Sequence, residues 1–421
     1  MSARRLALLV ALVLGVAVLA VIVVVTPGEL IPTPPGGRTP VDPSATFSPA
    51  EMERANSFAA ARRPASLAAL LLSLLVSAVF GLTRAGAAVI RAVARPLGGG
   101  WAWQALLGTV ALVVIGRLAT LPLSAYGEVV RHRYGLSTRS WGLWVRDVAT
   151  STAISAGVTA LVVLAVVALA RWAPRTWWAW AAAGTAGLVV AGSFLYPLVI
   201  EPAFNRFEPM PPSALRSELF ALAERSGTPV DDVLVADASR RTTALNAYVS
   251  GFGSSRRIVV YDTLLDRLPD AQIESIVAHE LGHVANRDVL TGTLIGALGS
   301  AAAVALLGWL LGWTPLLRRA GADGPGDPRI IGLLLFLVAA GTLLSTPVQD
   351  GVSRRVEARA DLHALDLTGD PAGFAGVQRE LGVANLSDPD PPAAWQWFFG
   401  THPTTAQRVA FATDWTRVHG R

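Results

Sequence analysis

Seven apolar stretches dominate the chain: about Leu6–Val25, Ser66–Leu82, Trp103–Leu123, Ile154–Ala170, Trp177–Ile200, Thr291–Trp313 and Ile330–Ser345. Each approaches the roughly 20 residues an α-helix needs to cross a bilayer. Inside lipid every backbone N–H and C=O must find a partner within the segment, so runs of this kind fold as helices. With 52% hydrophobic and only 15% charged residues over 421 positions, the chain is too apolar to be covered by water throughout. The expectation is a predominantly α, polytopic membrane protein with about seven transmembrane helices. The first stretch follows Arg4-Arg5 but is long for a cleavable leader, and no small-x-small site precedes the Pro-rich segment, so it reads as an uncleaved span.

There are no cysteines, which excludes disulfides, thiolate ligands and a Cys nucleophile, so any metal must be held by His, Asp or Glu. Every basic side chain is Arg. The formal net charge of +5 fits basic loops beside anionic lipid, and no nucleic-acid partner is expected. Thr26–Arg63, rich in Pro, Gly and Ser, reads as a flexible surface connection. Arg117 lies inside the third apolar stretch, where a guanidinium costs about 2.5–3.5 kcal/mol, so it should face a polar interior or a carboxylate.

Two less apolar blocks remain, Glu201–Val289 and Thr346–Arg421. In the first, Ala214–Ser226 has a helical pattern closed by Gly227, followed by strand-like runs at Val230–Ala236, Thr243–Val249 and Arg257–Tyr261. Leu245–Val249 alternates as a strand exposed on one face should. Pro269 and Asp270 then open a helix reaching about Asn286, with Pro in the first turn and acidic residues near the positive end of the dipole.

That helix carries 277-VAHELGHVANRD-288. Residues four apart share a helix face, so His279 and His283 can offer their imidazoles to one ion while Glu280 reaches a water on it. Two neutral nitrogen ligands and a poised carboxylate are the working parts of a zinc hydrolase: zinc brings the pKa of a bound water toward about 7, and the carboxylate accepts the proton. A chance match on an amphipathic helix is the alternative. Against it stand the membrane span that follows directly and a second fitting motif downstream.

A catalytic zinc needs three protein ligands and one open position. In 353-SRRVEARADLHAL-365, Glu357 and Asp361 lie four apart on one helical face, whereas His363, six residues from Glu357, points away at about 100° per residue. This selects Glu357 as third ligand and Asp361 as the partner that orients a ligand histidine. In 400-GTHPTTAQR-408, His402 precedes Pro403 and so sits in extended or turn backbone, where it could donate to a developing oxyanion. Arg408 could tie this loop to Asp361 or Glu357. His132, His363 and His419 receive no role.

The combination of HELGH, Ser353 to Asp361 (SRxxExxAD) and THP followed by Arg408 resembles the M48 zinc metallopeptidases. The stretches 121-LPLSAYGEVVRHRYGLSTRSWGLWVRD-147, 202-PAFNRFEPM-210 and 245-LNAYVSGFGSSRRIVVYDTLL-265, with the seven spans, are similar to the CAAX prenyl protease type 1 (Ste24-like) branch. The resemblance covers most of the chain from about Trp103. It implies helices enclosing an intramembrane chamber and a small α+β, zincin-like catalytic block. One Zn2+ per chain would sit on His279, His283 and Glu357, with Glu280 as base. Asn246 and His402 would hold substrate and transition state, and Arg408 would support the site. An edge strand at Asn246 would pair an extended peptide by β-augmentation. The implied partners are membrane lipid and a peptide or membrane-associated protein, possibly prenylated. Val284 stands where eukaryotic members usually carry an aromatic, and the Ala-, Gly- and Arg-rich composition is that of a GC-rich bacterium, which points to substrates other than prenylated ones.

On this reading the chain divides into five spans over 1–200, a catalytic block over 201–290, spans six and seven over 291–347, and a C-terminal catalytic segment over 348–421. It would lie in a bacterial cell membrane with its catalytic side in the cytoplasm. Two alternatives remain: a quality-control protease of the same clan, which as a rule has fewer spans, and a transporter or receptor whose function would be indifferent to Glu280.

Overall fold

The computed structural model describes residues 2–420 apart from 197, 198 and 200. Seven helices are long and apolar enough to cross a membrane: Ala3–Val25, Pro49–Leu82, Trp101–Arg133, Trp141–Trp172, Trp177–Leu195, Asp288–Leu310 and Pro328–Thr368. The protein is an integral membrane protein, predominantly helical, with a small mixed sheet. The expected tail of the fifth span, up to Ile200, falls partly outside the described residues.

Most of these helices outrun their apolar stretches, because caps and not hydropathy set their ends. The second span begins at Pro49, where Ser48 and Glu51 form a capping box and Pro occupies the first turn. Thr26–Arg63 is therefore not the flexible connection its composition suggested. Its second part is helix, and its first part is a strap fixed to the water-exposed block. Ile31 and Phe47 are buried, and Asp414 Oδ1 accepts from the Thr39 amide at 2.8 Å and its hydroxyl at 2.6 Å. Pro and Gly here set the path of an ordered chain whose polar groups are paired elsewhere in the fold.

Contacts fix which connections share a side. The strap meets Asp414, and Ser137, between the third and fourth spans, bridges to Thr242. Both connections thus lie at the end of the bundle that carries the block after the fifth span and the segment after the seventh. Arg117 donates to Ser124 Oγ at 3.2 Å, so among the described residues its partner is a hydroxyl and not a carboxylate.

The sheet has the order β1-β2-β4-β3: β1 is Phe207–Pro209, β2 Asp232–Ala236, β3 Ala247–Ser250 and β4 Arg257–Tyr261. β2 and β4 are parallel, and the two outer pairs are antiparallel. β1 was not foreseen, being three residues with Pro209 among them; β2 and β3 start later than their expected runs, and β4 coincides with its own. β3 is an edge, and Asn246 sits just before it, its carbonyl accepting from the Tyr261 amide at 3.1 Å.

Against this sheet pack Ile273, Val277 and Leu281 of the HExxH helix Asp270–Ala285, Leu219 of the helix Ala214–Arg225, and Phe374 and Trp415 from the C-terminal segment, with Ile31 of the strap. Pro269 caps the HExxH helix from just outside and does not enter its first turn. This cluster is drawn from three distant stretches of sequence.

Candidate active site

The HExxH helix and the seventh-span helix lie against each other because Gly282 leaves room. A Cβ there would meet His363 Cβ at 2.9 Å and Ala360 Cα at 3.2 Å. The small residue in HELGH thus sets the approach that brings Glu357 to the histidines.

At that contact the imidazoles stand nearly perpendicular, at 89° with centroids 4.9 Å apart. His279 Nε2 lies 3.3 Å from Glu357 Oε2, and His283 Nε2 lies 3.7 Å from Glu357 Oε1. One ligand atom from each of His279, His283 and Glu357 can be chosen so that all lie within 4.8 Å of one another. The opposite nitrogens are held by other acids. His279 Nδ1 is 2.9 Å from Asp361 Oδ1, and His283 Nδ1 is 2.9 Å from Asp288 Oδ2. With each Nδ1–H donated to a carboxylate, each Nε2 keeps its lone pair for the space in front of Glu357.

Arg408 binds both oxygens of Asp361, with Nε at 2.9 Å from Oδ2, and so fixes the acid that fixes His279. Arg359 contacts Asp288 through Oδ1 alone, and so ties down the acid that holds His283. Asp288 and Arg359 were given no role from sequence, although Asp288 stands five residues after His283. Its signal is hidden by the turn: Arg287 adopts left-handed backbone, φ 57°, which swings Asp288 back toward the histidine.

His402 sits above Glu357, with Nε2 at 3.3 Å from Oε2, and more than half of its side chain is exposed. Its loop is pinned from below. Gln396 Nε2 donates to the His402 carbonyl at 2.7 Å, and Arg354 donates to the carbonyls of Gln396 and Gly400. The three arginines flanking Glu357 thus have separate duties: Arg354 holds this loop, Arg355 reaches the Pro27 carbonyl at 3.2 Å, and Arg359 holds Asp288. His363, unassigned from sequence, contacts Ser226 Oγ at 3.0 Å and packs behind Gly282.

A cavity of about 520 Å3 opens beside the ligand cluster, lined by Asn246, His279, Glu280, His402 and Arg408 among others. Burial raises the Glu280 carboxyl above the usual range, against the pull of His279 and His283. Burial works against a charge on His279, but the neighbouring Asp361 and Glu357 carboxylates outweigh it and raise the imidazole pKa, so Nε2 attracts a cation, a proton or a metal ion in its place. Burial pushes His402 down, with Glu357 opposing, and so favours its neutral form.

The residues fit a cation. Glu357 Oε2 is buried without a hydrogen-bond partner, although two imidazole nitrogens stand 3.3 Å away. Unpaired buried carboxylate oxygen is costly unless a positive charge meets it. A closed three-residue N,N,O set with an adjoining cavity is the donor pattern of a catalytic zinc centre.

Comparison with known proteins agrees with this chemistry. The profile of peptidase family M48 matches residues 210–416, and that of the CAAX prenyl protease N-terminal, five membrane helices, matches residues 37–206. The "Uncharacterized metalloprotease YhfN" of Bacillus subtilis is 33% identical over 303 residues, 72% of this chain and 71% of that protein. "CAAX prenyl protease 1" of Saccharomyces cerevisiae is 25% identical over 312 residues, 70% and 69% of the two chains. The crystal structure of S. mikatae Ste24p shares the fold, with a TM-score of 0.79 at 20% identity over 98% of this chain and 99% of that one. This chain is an integral-membrane metalloprotease and belongs to peptidase family M48.

Proposed function

We propose that the protein is a zinc-dependent endopeptidase that binds one Zn2+ per chain on His279, His283 and Glu357 and hydrolyses peptide bonds with Glu280 as general base. The observation that carries this reading is the opposed arrangement of the two imidazoles: each Nε2 faces Glu357, and each Nδ1 is held by its own carboxylate. Zinc in that position supplies a Lewis acid that polarises a carbonyl and acidifies water.

The chain's own residues supply the rest. Glu280, raised by burial, takes the proton from the attacking water and delivers it to the leaving amine. His402, neutral and exposed at the cavity mouth, donates to the oxyanion as it forms. Asn246, exposed beside the free edge of β3, hydrogen-bonds an extended substrate laid along that edge. Arg408 acts through Asp361, holding His279 in its ligating orientation.

Substrates on this reading are peptides or membrane-associated proteins that reach the cavity from the bundle; the names of the eukaryotic relatives add prenylated proteins to the set to be tried. The cell is bacterial and the catalytic side cytoplasmic, which places Arg131, Arg133, Arg139 and Arg146, near the third connection, on the side where basic residues accumulate. The working division is five spans over 1–200, catalytic residues over 201–290 and 348–421, and the last two spans between.

The test is zinc per chain and peptidase activity in detergent for wild type, Glu357→Gln and Glu280→Gln. Wild type should hold about one zinc. Glu357→Gln should lose most of it, and Glu280→Gln should keep it while activity falls by about 10²–10⁴. A zinc-free wild type prepared without chelators would overturn the zinc assignment.

A further inference from the structure

One wall of the cavity is formed by the helix Pro371–Ala384, continued by Asn385. Gln378, Leu381, Gly382 and Asn385 recur at three- and four-residue steps and share one face, and all line the cavity. Two of these residues are carboxamides, and they differ in what they bind.

Asn385 is paired with backbone. Its Oδ1 accepts from the Leu245 amide at 3.0 Å, and its Nδ2 donates to the Leu245 carbonyl at 3.3 Å. The side chain thus satisfies one residue of extended chain, the one immediately before Asn246, as a neighbouring strand would. Gln378, two turns earlier on the same face, is 4% exposed and has no hydrogen-bond partner among the described residues. Neither of its polar atoms is fully enclosed, so the carboxamide is open to the cavity, and its two N–H donors and one carbonyl acceptor match what a peptide unit offers. Leu245 and Asn385 already satisfy each other, so among the described residues no backbone group takes the Gln378 carboxamide, which is left free for a peptide unit in the cavity. The cavity that Gln378 enters is the one beside Glu280 and the free edge of β3.

We propose that Gln378 is a substrate-contacting residue whose carboxamide hydrogen-bonds the main chain of the bound peptide, in the cavity that Asn246 also lines. The inference rests on the endopeptidase reading and adds a second line of backbone recognition to it. The peptide would be gripped by main-chain hydrogen bonds from Gln378 and from the β3 edge, which favours extended substrates with little demand on their side chains.

The experiment compares wild type, Gln378→Leu and the equally long Gln378→Met on a cleaved peptide and on derivatives N-methylated at one backbone amide at a time. Loss of one neutral hydrogen bond should lower kcat/KM about three- to tenfold, chiefly through KM, with zinc content and Tm not reduced. N-methylation at the contacted amide should penalise wild type and leave both variants no worse. The proposal is overturned if KM is unchanged in both variants, or if every N-methyl penalty is the same in variants and wild type. Loss of zinc in both variants would also overturn it, since Gln378 would then be supporting the fold. Wild type that cleaves no peptide while holding zinc removes the endopeptidase reading, and this inference with it.

Discussion

Asp288 Oδ2 lies 2.9 Å from Nδ1 of His283, one residue beyond the left-handed turn that ends the HExxH helix. The same carboxylate takes Arg359 from the seventh-span helix, so one acid orients a candidate ligand and ties together the two helices that carry the ligand set.

Asp288→Ala should therefore weaken zinc binding by about 10–100-fold, measured by competition with a chromogenic chelator. Arg359→Ala should weaken it less, because Asp288 keeps its contact with His283. Equal zinc affinity in Asp288→Ala and wild type would show that the histidine needs no such partner.

Gly282→Ala places a methyl 2.9 Å from His363 Cβ and 3.2 Å from Ala360 Cα. Neither neighbour is the end of a flexible side chain, so the helices must separate. The expected cost is about 1–3 kcal/mol of stability, accompanied by loss of zinc, because Glu357 moves with the seventh-span helix. A thermal shift together with metal analysis tests this. Full zinc occupancy in a stable variant would mean that the helix pair adjusts without moving its ligands.

His402→Ala removes a donor at the cavity mouth and leaves His279, His283 and Glu357 in place. The expected result is a fall in kcat of about 10²–10³ with zinc content unchanged. Loss of zinc in this variant would instead make His402 part of the ion's own shell, since its Nε2 is 3.3 Å from Glu357 Oε2.

Asp414 is 4% exposed and takes both the amide and the hydroxyl of Thr39. Asp414→Ala leaves those groups without their acceptor, which should cost about 1–3 kcal/mol. Limited proteolysis should then cut within the Pro-rich strap, which wild type should resist. Unchanged resistance would mean that Ile31 and Phe47 hold the strap unaided.

Much of this site was legible because its chemistry is local in sequence. Helical spacing brought His279 and His283 together, the same spacing linked Glu357 to Asp361, and charge offered Arg408 either Asp361 or Glu357, of which it takes Asp361. What escaped reading depends on backbone turns and long-range contact. Asp288 works only because Arg287 takes a positive φ that no residue pattern announces. The strap looked flexible because Pro and Gly mark irregular chain, which is silent on whether distant groups hold it. Gln378 carries no motif at all; its interest comes from being buried without a partner, a property that exists only once the fold is known. The seven spans were counted correctly from hydropathy, yet their ends were misjudged where polar caps extend a helix beyond its apolar run.

The helix that supplies Glu357 runs from Ile331 to Thr368, with its apolar end in the bundle. At about 1.5 Å per residue, Glu357 stands roughly 39 Å from its start. A change of about two degrees in tilt would carry the carboxylate more than about 1 Å, beyond the tolerance of about 0.5 Å that catalytic geometry allows. Pro347 lies between the lipid-facing part and Glu357, at the kind of position where helices bend. Because tilt responds to the thickness of the hydrocarbon layer, this helix is a lever with one arm in lipid and the other in the catalytic centre. The expected outcome is a different rate in short-chain and long-chain vesicles, measured on one preparation; equal rates would mean that the packed helix pair moves as one and keeps its ligand geometry.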